Sequence, residues 1–357
     1  MNKKIFLFGP YPPPYGGVSI YVHALNEFLI EVGFDCNLKI YRQDGTAIDY
    51  VQPSFTSVYK NFFKITKKDT CLDSCSFFLE YPSIKATLAW LLIKMLKRFR
   101  WIKIIHDGSL PSRYKHFAFV QKFVFHAAIK FIDELIVVSE DLYSWLRNNI
   151  KVKQKVLLIK SLLPIPPQTF NTPLPVEIEQ AIAHHRKTVC CIGAFTPTYG
   201  FKHVANAVEK IRKETEDDIG LVFINASFTG DKNYKSKVLK QREWITVLTD
   251  IPRSQVLQIL KRSNVFVRGV DFESYGLSRV ESLWCGTPVV ATRVGETRGM
   301  LLYDCGNVKE LVQQIKKALY TPSGQDIHKW AEHFRQEAEA NLAAIINIIN
   351  SGRGSNG

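Results

Sequence analysis

The sequence predicts an α/β protein with two parallel sheets, one in each half of the chain. Short β-branched or aromatic runs alternate with amphipathic stretches from end to end, the pattern of repeated βα units. A proline-rich passage, Pro164, Pro166, Pro167, Pro173 and Pro175, interrupts that alternation and suits a linker stiffened against helix formation. At 357 residues, 46% of them hydrophobic, the chain is long enough for two domains with separate cores.

In the first half, strands are expected at 3–8, 75–79, 101–105, 134–138 and 156–159, with helices between them. In the second half they are expected at 188–192, 220–224, 244–248, 265–268 and 289–292. These runs divide the chain into an N-terminal lobe (1–163), a linker (164–178), a second lobe (179–325) and a C-terminal helix with a frayed tail (326–357).

The N-terminal apolar run is too short for a signal-peptide core, and no apolar run approaches the roughly 20 residues that span a bilayer. A cytoplasmic location is expected. Seven cysteines, with Cys190 and Cys191 adjacent in a strand-like run, suit reduced core residues, and Cys71 with Cys75 alone makes no zinc site.

The net charge of +14 is uneven: residues 1–165 carry 23 basic and 13 acidic side chains, the remainder 24 and 20. Within 81–130, ten basic residues and a single acidic one, Asp107, are interleaved with Trp90, Phe99, Trp101, Phe119, Phe123 and Phe125. That mixture suits a face meeting anionic lipid headgroups at the inner surface of the cell membrane. A solvated basic face over ordinary core helices is the alternative. Nucleic acid is not expected as a partner, because no recognised binding motif accompanies the charge.

The most informative stretch is Asp271-Phe272-Glu273-Ser274-Tyr275-Gly276-Leu277-Ser278-Arg279-Val280-Glu281, followed by Cys285-Gly286-Thr287-Pro288-Val289-Val290-Ala291-Thr292. Gly276 permits a tight turn and Ser278 is placed to cap the helix that follows. The amides of Gly276, Leu277 and Ser278 then face outward at a positive helix end, where a diphosphate is stabilised. Glu281, expected in the first turn, offers its carboxylate to a ribose diol, and Glu273 offers its own to the hydroxyls of a sugar. Ser278-x-x-Glu281 also fits a capping box, in which Glu281 serves only its own helix.

The stretch resembles the signature of glycosyltransferase family 4: two glutamates separated by seven residues, Tyr275-Gly276-Leu277 between them, then Gly286-Thr287-Pro288-Val289. The resemblance implies the GT-B arrangement, two Rossmann-like lobes facing a cleft, and a retaining transferase of the surface-polysaccharide type. It implies that Tyr275, Gly276, Leu277, Ser278 and Glu281 bind the donor and that Glu273 is catalytic. Gly16-Gly17, opening a helix after the first strand, resembles the family's N-terminal glycine loop and is placed with the donor-binding residues. His106, at the end of the 101–105 strand, resembles the family's histidine that contacts the donor sugar; strand carboxyl ends face the ligand crevice in such sheets.

One departure matters. Ala194 stands where the family carries an arginine and Tyr199 where it carries a lysine, the two cations that neutralise the leaving diphosphate. Lys202 and Arg268 are the candidate replacements.

The expected reaction is transfer of a sugar from a nucleotide diphosphate donor to a glycan or lipid-linked glycan, with no cofactor. No Asp-x-Asp triplet occurs, so no metal is expected. A nucleotide-sugar epimerase of the same fold and a non-catalytic binding protein descended from such enzymes are the alternatives.

Overall fold

The computed structural model describes residues 4–13, 15–41, 51–321 and 324–351. The chain forms two compact units, one built on Val18–Leu163 and the other on Pro164–Glu339, with the segment from Ala340 belonging to the first. Residue 3 and the tail after Ser351 lie outside the described residues.

Among its described residues the first unit holds six strands: β1 (Lys4–Pro10), β2 (Asp35–Tyr41), β3 (Thr70–Asp73), β4 (Arg100–Ile105), β5 (Glu134–Val137) and β6 (Lys155–Leu158). All pair in parallel in the order β2-β1-β3-β4-β5-β6. Two features differ from expectation. The edge strand β2 has no clear signal in the sequence, because it alternates the half-buried Cys36 and Leu38 with Asp35, Asn37 and Lys39 instead of forming an apolar run. The expected strand at 75–79 is a turn. The ladder position belongs to β3, where Leu72 lies between Leu7 and Ile102. Cys75, Phe77, Phe78 and Leu79 are apolar because they enter the core beyond the strand's carboxyl end.

Charge is what hides β3. Asp73 is fully buried; it accepts from Trp101 Nε1 at 3.0 Å and from the Cys75 amide at 2.9 Å. Lys103 on β4, also fully buried, approaches Asp73 at 3.9 Å and Glu80 at 3.4 Å. Burial pushes the Glu80 carboxyl up to about 7, although Lys103 opposes the shift. A raised carboxyl favours the folded state fully below its ordinary range and loses that contribution as pH rises through about 7. Glu80→Gln is therefore expected to gain stability relative to the parent chain between pH 5 and 8. Thermal melts of both proteins across that range check this; a constant difference contradicts it.

The fold divides the basic and aromatic residues of 81–130 into two groups. Trp90, Phe99, Trp101 and Phe125 are fully buried in one aromatic core, where Phe78 stacks on Trp90 at 5.0 Å and Trp101 meets Trp90 edge-on at 5.4 Å. They are not a lipid-facing surface. Lys94 is buried against Asp133 at 2.5 Å, and Arg100 pairs with Glu134 at 2.6 Å, so neither is a free headgroup contact. Phe119, 85% exposed, and Phe123, 67% exposed, instead point outward from the Phe119–Phe131 helix. No helix among the described residues is long and apolar enough to cross a membrane.

The second unit repeats the plan with β7 (Lys187–Phe195), β8 (Ile219–Gly230), β9 (Ile245–Thr249), β10 (Val265–Arg268), β11 (Val289–Thr292) and β12 (Leu301–Tyr303). Their order is β12-β11-β10-β7-β8-β9, again all parallel. The short edge strand β12 also differs from expectation. Its two half-buried residues and Tyr303 give too little pattern to separate strand from turn. All seven cysteines are free, and Cys71, Cys75, Cys190 and Cys191 are buried.

Candidate active site

Strand β10 ends at Arg268, and the chain turns through Glu273 and Gly276 into the Leu277–Trp284 helix. Gly276 itself is the residue before the helix, with φ at +87°, and no side chain caps the start. A Cβ there would meet Arg279 Cδ at 3.0 Å and Glu273 Cγ at 3.1 Å, so backbone conformation and space both require glycine. The expected Ser278 cap is thereby corrected, because Ser278 lies inside the helix, where its carbonyl accepts from Ser282 Oγ at 2.7 Å. Leu277 opens the helix.

Glu281 forms no capping box. It lies beyond the first turn, is 3% exposed, and takes Nε and Nη2 of Arg253 on one carboxylate oxygen at 2.8 Å each. Burial raises its carboxyl above the ordinary range, and Arg253 offsets part of that rise. Arg253, opening the Arg253–Arg262 helix, escapes sequence reasoning because the pairing spans 28 positions with no local pattern.

Arg279 escapes it too. Fully buried, its guanidinium donates to the Thr292 and Glu296 carbonyls at 3.3 Å, to the Val294 carbonyl, and to Thr292 Oγ1 at 3.2 Å. Desolvation pulls its pKa down to about 10. It braces the 292–296 turn, where Gly295, φ +68°, would place a Cβ 3.0 Å from Glu273 Cγ. Glu273 thus lies between two positions that only glycine suits. Tyr275 is buried, its hydroxyl donating to Glu337 at 3.1 Å.

Arg268 and Glu273 are brought together. Nε and Nη2 donate to Glu273 Oε2 at 2.9 and 2.7 Å, and Nη1 donates to the Ile192 carbonyl at 2.6 Å. Burial works against the charge of Arg268, but Glu273 and Tyr199 outweigh it and the pKa is raised. Its guanidinium sits 5.1 Å from the centre of the Tyr199 ring. That ring in turn lies on Gly193, where a Cβ would approach Tyr199 Cδ1 to 2.3 Å. Tyr199, at the position where the family resemblance expects a lysine, therefore carries a cation stacked upon it. Ala194, at the other departed position, is fully buried.

Lys202 is exposed near the start of the Phe201–Thr215 helix, its amide donating to Tyr234 Oη at 3.0 Å. Gly200 before it, φ +66°, would place a Cβ 2.2 Å from the Gly269 carbonyl oxygen. The helix start that bears Lys202 is thus packed on the end of β10, but only Arg268 reaches Glu273 among the two candidate cations.

Gly17 is the first residue of the Gly17–Glu31 helix, with Gly16 just before it. A Cβ on Gly17 would meet nothing within 4 Å among the described residues. His106 follows β4 in the first unit. Its Nδ1 is 3.2 Å from Ser161 Oγ, its Nε2 is 3.3 Å from Ser74 Oγ, and its ring meets Tyr21 at 4.8 Å. Burial, aided by Lys103, lowers its pKa to about 3, so the imidazole is neutral near pH 7 and is not a proton donor of imidazolium type. Among the described residues no group of three or more His, Cys, Asp or Glu is arranged to hold a metal ion.

Residues 177–339 match the family of group 1 glycosyl transferases. No curated protein matches the chain in sequence. Among solved structures, sucrose-phosphate synthase from Thermosynechococcus elongatus superposes with a TM-score of 0.74 at 17% identity, covering 98% of this chain and 99% of that one. HepE of Anabaena, solved with UDP and glucose, gives 0.68 at 15% identity over 100% of both chains. An α,α-trehalose-phosphate synthase (UDP-forming) from Burkholderia xenovorans, in complex with glucose-6-phosphate, gives 0.72 at 11% identity, covering 97% and 100%. The two parallel six-stranded sheets and the group 1 match make this chain a glycosyltransferase of the GT-B fold.

Proposed function

We propose that the protein is a retaining glycosyltransferase of family 4 type that moves a sugar from a nucleoside diphosphate to a glycan or lipid-linked glycan in surface-polysaccharide synthesis. One observation carries this reading: Arg268 and Glu273 are ion-paired beside the uncapped helix start at Gly276. The amides of Leu277 and Ser278 and the positive helix end favour the diphosphate. Glu281, oriented by Arg253, accepts from the ribose diol, and Glu273 accepts from hydroxyls of the transferred sugar. Negative charge builds on the β-phosphate as the glycosidic bond breaks, and the fork of Arg268 is preorganised to meet it. For His106 the proposal is contact with the sugar through a neutral imidazole, and Gly16, Gly17 and Lys202 remain in the proposed donor-binding set.

The chemistry is proposed to need no divalent metal, since the chain has no Asp-x-Asp triplet. Calorimetric titration with a panel of nucleotide sugars, uridine donors first, tests the reading, followed by transfer assays with and without a chelator. Saturable binding and chelator-insensitive transfer are expected. Absence of binding across the panel refutes the reading, and loss of transfer restored by Mn²⁺ or Mg²⁺ refutes its metal-free part.

We further propose that the protein works as a peripheral protein on the cytoplasmic face of an anionic membrane. Support comes from Phe119, Val120 and Phe123, exposed on one helix, with Lys115 and Lys130 exposed nearby in sequence. Apolar groups insert shallowly while each lysine near the surface contributes roughly 1 kcal/mol. Phe119→Ser with Phe123→Ser is expected to weaken binding to phosphatidylserine vesicles at least about tenfold without lowering the melting temperature. Unchanged vesicle binding in the double variant contradicts this face.

A further inference from the structure

Behind the segment that carries Glu273 and Tyr275 lies a closed ring of polar contacts, all within the second unit. The Tyr275 hydroxyl donates to Glu337 Oε2 at 3.1 Å, and Glu337 Oε1 accepts from Arg298 Nη2 at 2.9 Å. Arg298 holds Glu296 through Nε to Oε1 at 2.9 Å and Nη2 to Oε2 at 2.7 Å. The Glu296 amide donates to the Tyr275 carbonyl at 2.9 Å and closes the ring. His333 Nε2, one turn before Glu337 on the Gly324–Ser351 helix, lies 2.7 Å from Arg298 Nη1. Hydrogen bonding to Glu296, and then to Glu337, raises the pKa of Arg298, so the fork keeps its charge.

Tyr275 is thereby held at two points, its carbonyl by the 293–298 turn and its hydroxyl by the last helix. Arg298 binds the carboxylates of both partners, Glu296 and Glu337. Glu273 is only two residues from Tyr275, and the same turn contributes Gly295, against which its side chain packs. A register of donors set to within a fraction of an ångström is what binding and transition-state stabilisation require of such a segment.

We propose that Arg298 and Glu337 are positioning residues that hold the Glu273 to Leu277 segment in its donor-binding geometry, an inference that rests on the donor-binding role proposed above. Neither touches the donor; both act through Tyr275 and Glu296. Losing one charge-assisted contact in this ring corresponds to about a tenfold change in an equilibrium constant. Glu337→Ala is expected to raise the donor KM about tenfold while changing kcat by less than about threefold. Glu337→Gln, which accepts from Arg298 and donates to the Tyr275 hydroxyl, is expected to recover most of that loss. Adding Tyr275→Phe to Glu337→Ala should cost little more than Glu337→Ala alone, because both changes break one contact.

Hydrogen exchange of the 273–277 amides in the ligand-free protein decides the positioning independently of any donor. Exchange there at least about tenfold faster in Glu337→Ala and in Arg298→Lys, with the β7 and β10 amides unchanged, supports the proposal. Unaltered exchange in both variants overturns it, as does an unaltered donor KM with only a lowered melting temperature. If no nucleotide sugar binds the parent protein, the functional reading fails, while the exchange rates still decide whether the ring holds the segment.

Discussion

Arg268→Ala is expected to lower transfer about 10² to 10³-fold, the usual cost of removing one preorganised donor from developing charge. The structure makes the expectation specific. Arg268 is the cation held by Glu273, stacked on Tyr199 and fixed by the Ile192 carbonyl, so its fork has one orientation. Arg268→Lys should recover little, because an ammonium cannot reproduce the paired Nε and Nη2 contacts. Lys202→Ala, removing an exposed side chain, should cost far less. Steady-state rates for the three variants at saturating donor check the order, and near-normal turnover in Arg268→Ala would move leaving-group stabilisation elsewhere.

Glu281→Ala is expected to abolish donor binding and to destabilise the second unit by about 3 kcal/mol. A lost helix cap would cost about 1 kcal/mol. The larger figure follows from the buried pair: removing the carboxylate strands Arg253, and breaking a buried pair by one partner costs roughly 3–5 kcal/mol. Arg253→Ala should be comparably destabilising, since it leaves Glu281 buried with a carboxyl already raised by desolvation. Denaturant melts and calorimetry on each variant separate the two effects. Donor affinity retained in Glu281→Ala would leave Glu281 as a structural anion only.

Where the sequence is legible, burial and pattern coincide. Strands β10 and β11 fall at 265–268 and 289–292 as expected, because both are central, apolar and bounded by turn residues. Of the edge strands, β6 and β9 are legible, whereas β2, which alternates in polar residues, and β12, only three residues long, are not. Aromatic density misleads in both directions: 75–79 reads as a strand yet packs end-on into the core, and Trp90, Phe99, Trp101 and Phe125 read as part of a surface yet are interior.

At the site, the glutamates, glycines and Arg268 are visible because their spacing is local. Their supports are not. Arg253, Arg279, Arg298 and Glu337 reach the site through contacts as many as 62 positions away, and no single-sequence pattern encodes such pairings. Ser278 shows the opposite error. A plausible local motif is overridden by Gly276, whose left-handed conformation starts the helix ahead of Ser278 and leaves the serine inside it.

The most direct test is a transfer reaction followed by NMR of the product, using a nucleoside diphosphate α-sugar that binds in calorimetry and a panel of glycan and lipid-linked acceptors. Stoichiometric release of nucleoside diphosphate and a new α-linked glycoside are expected, both formed about 10² to 10³-fold more slowly in Arg268→Ala. A β-linked product, an epimerised sugar nucleotide formed without acceptor, or donor binding with no product across the panel would contradict it.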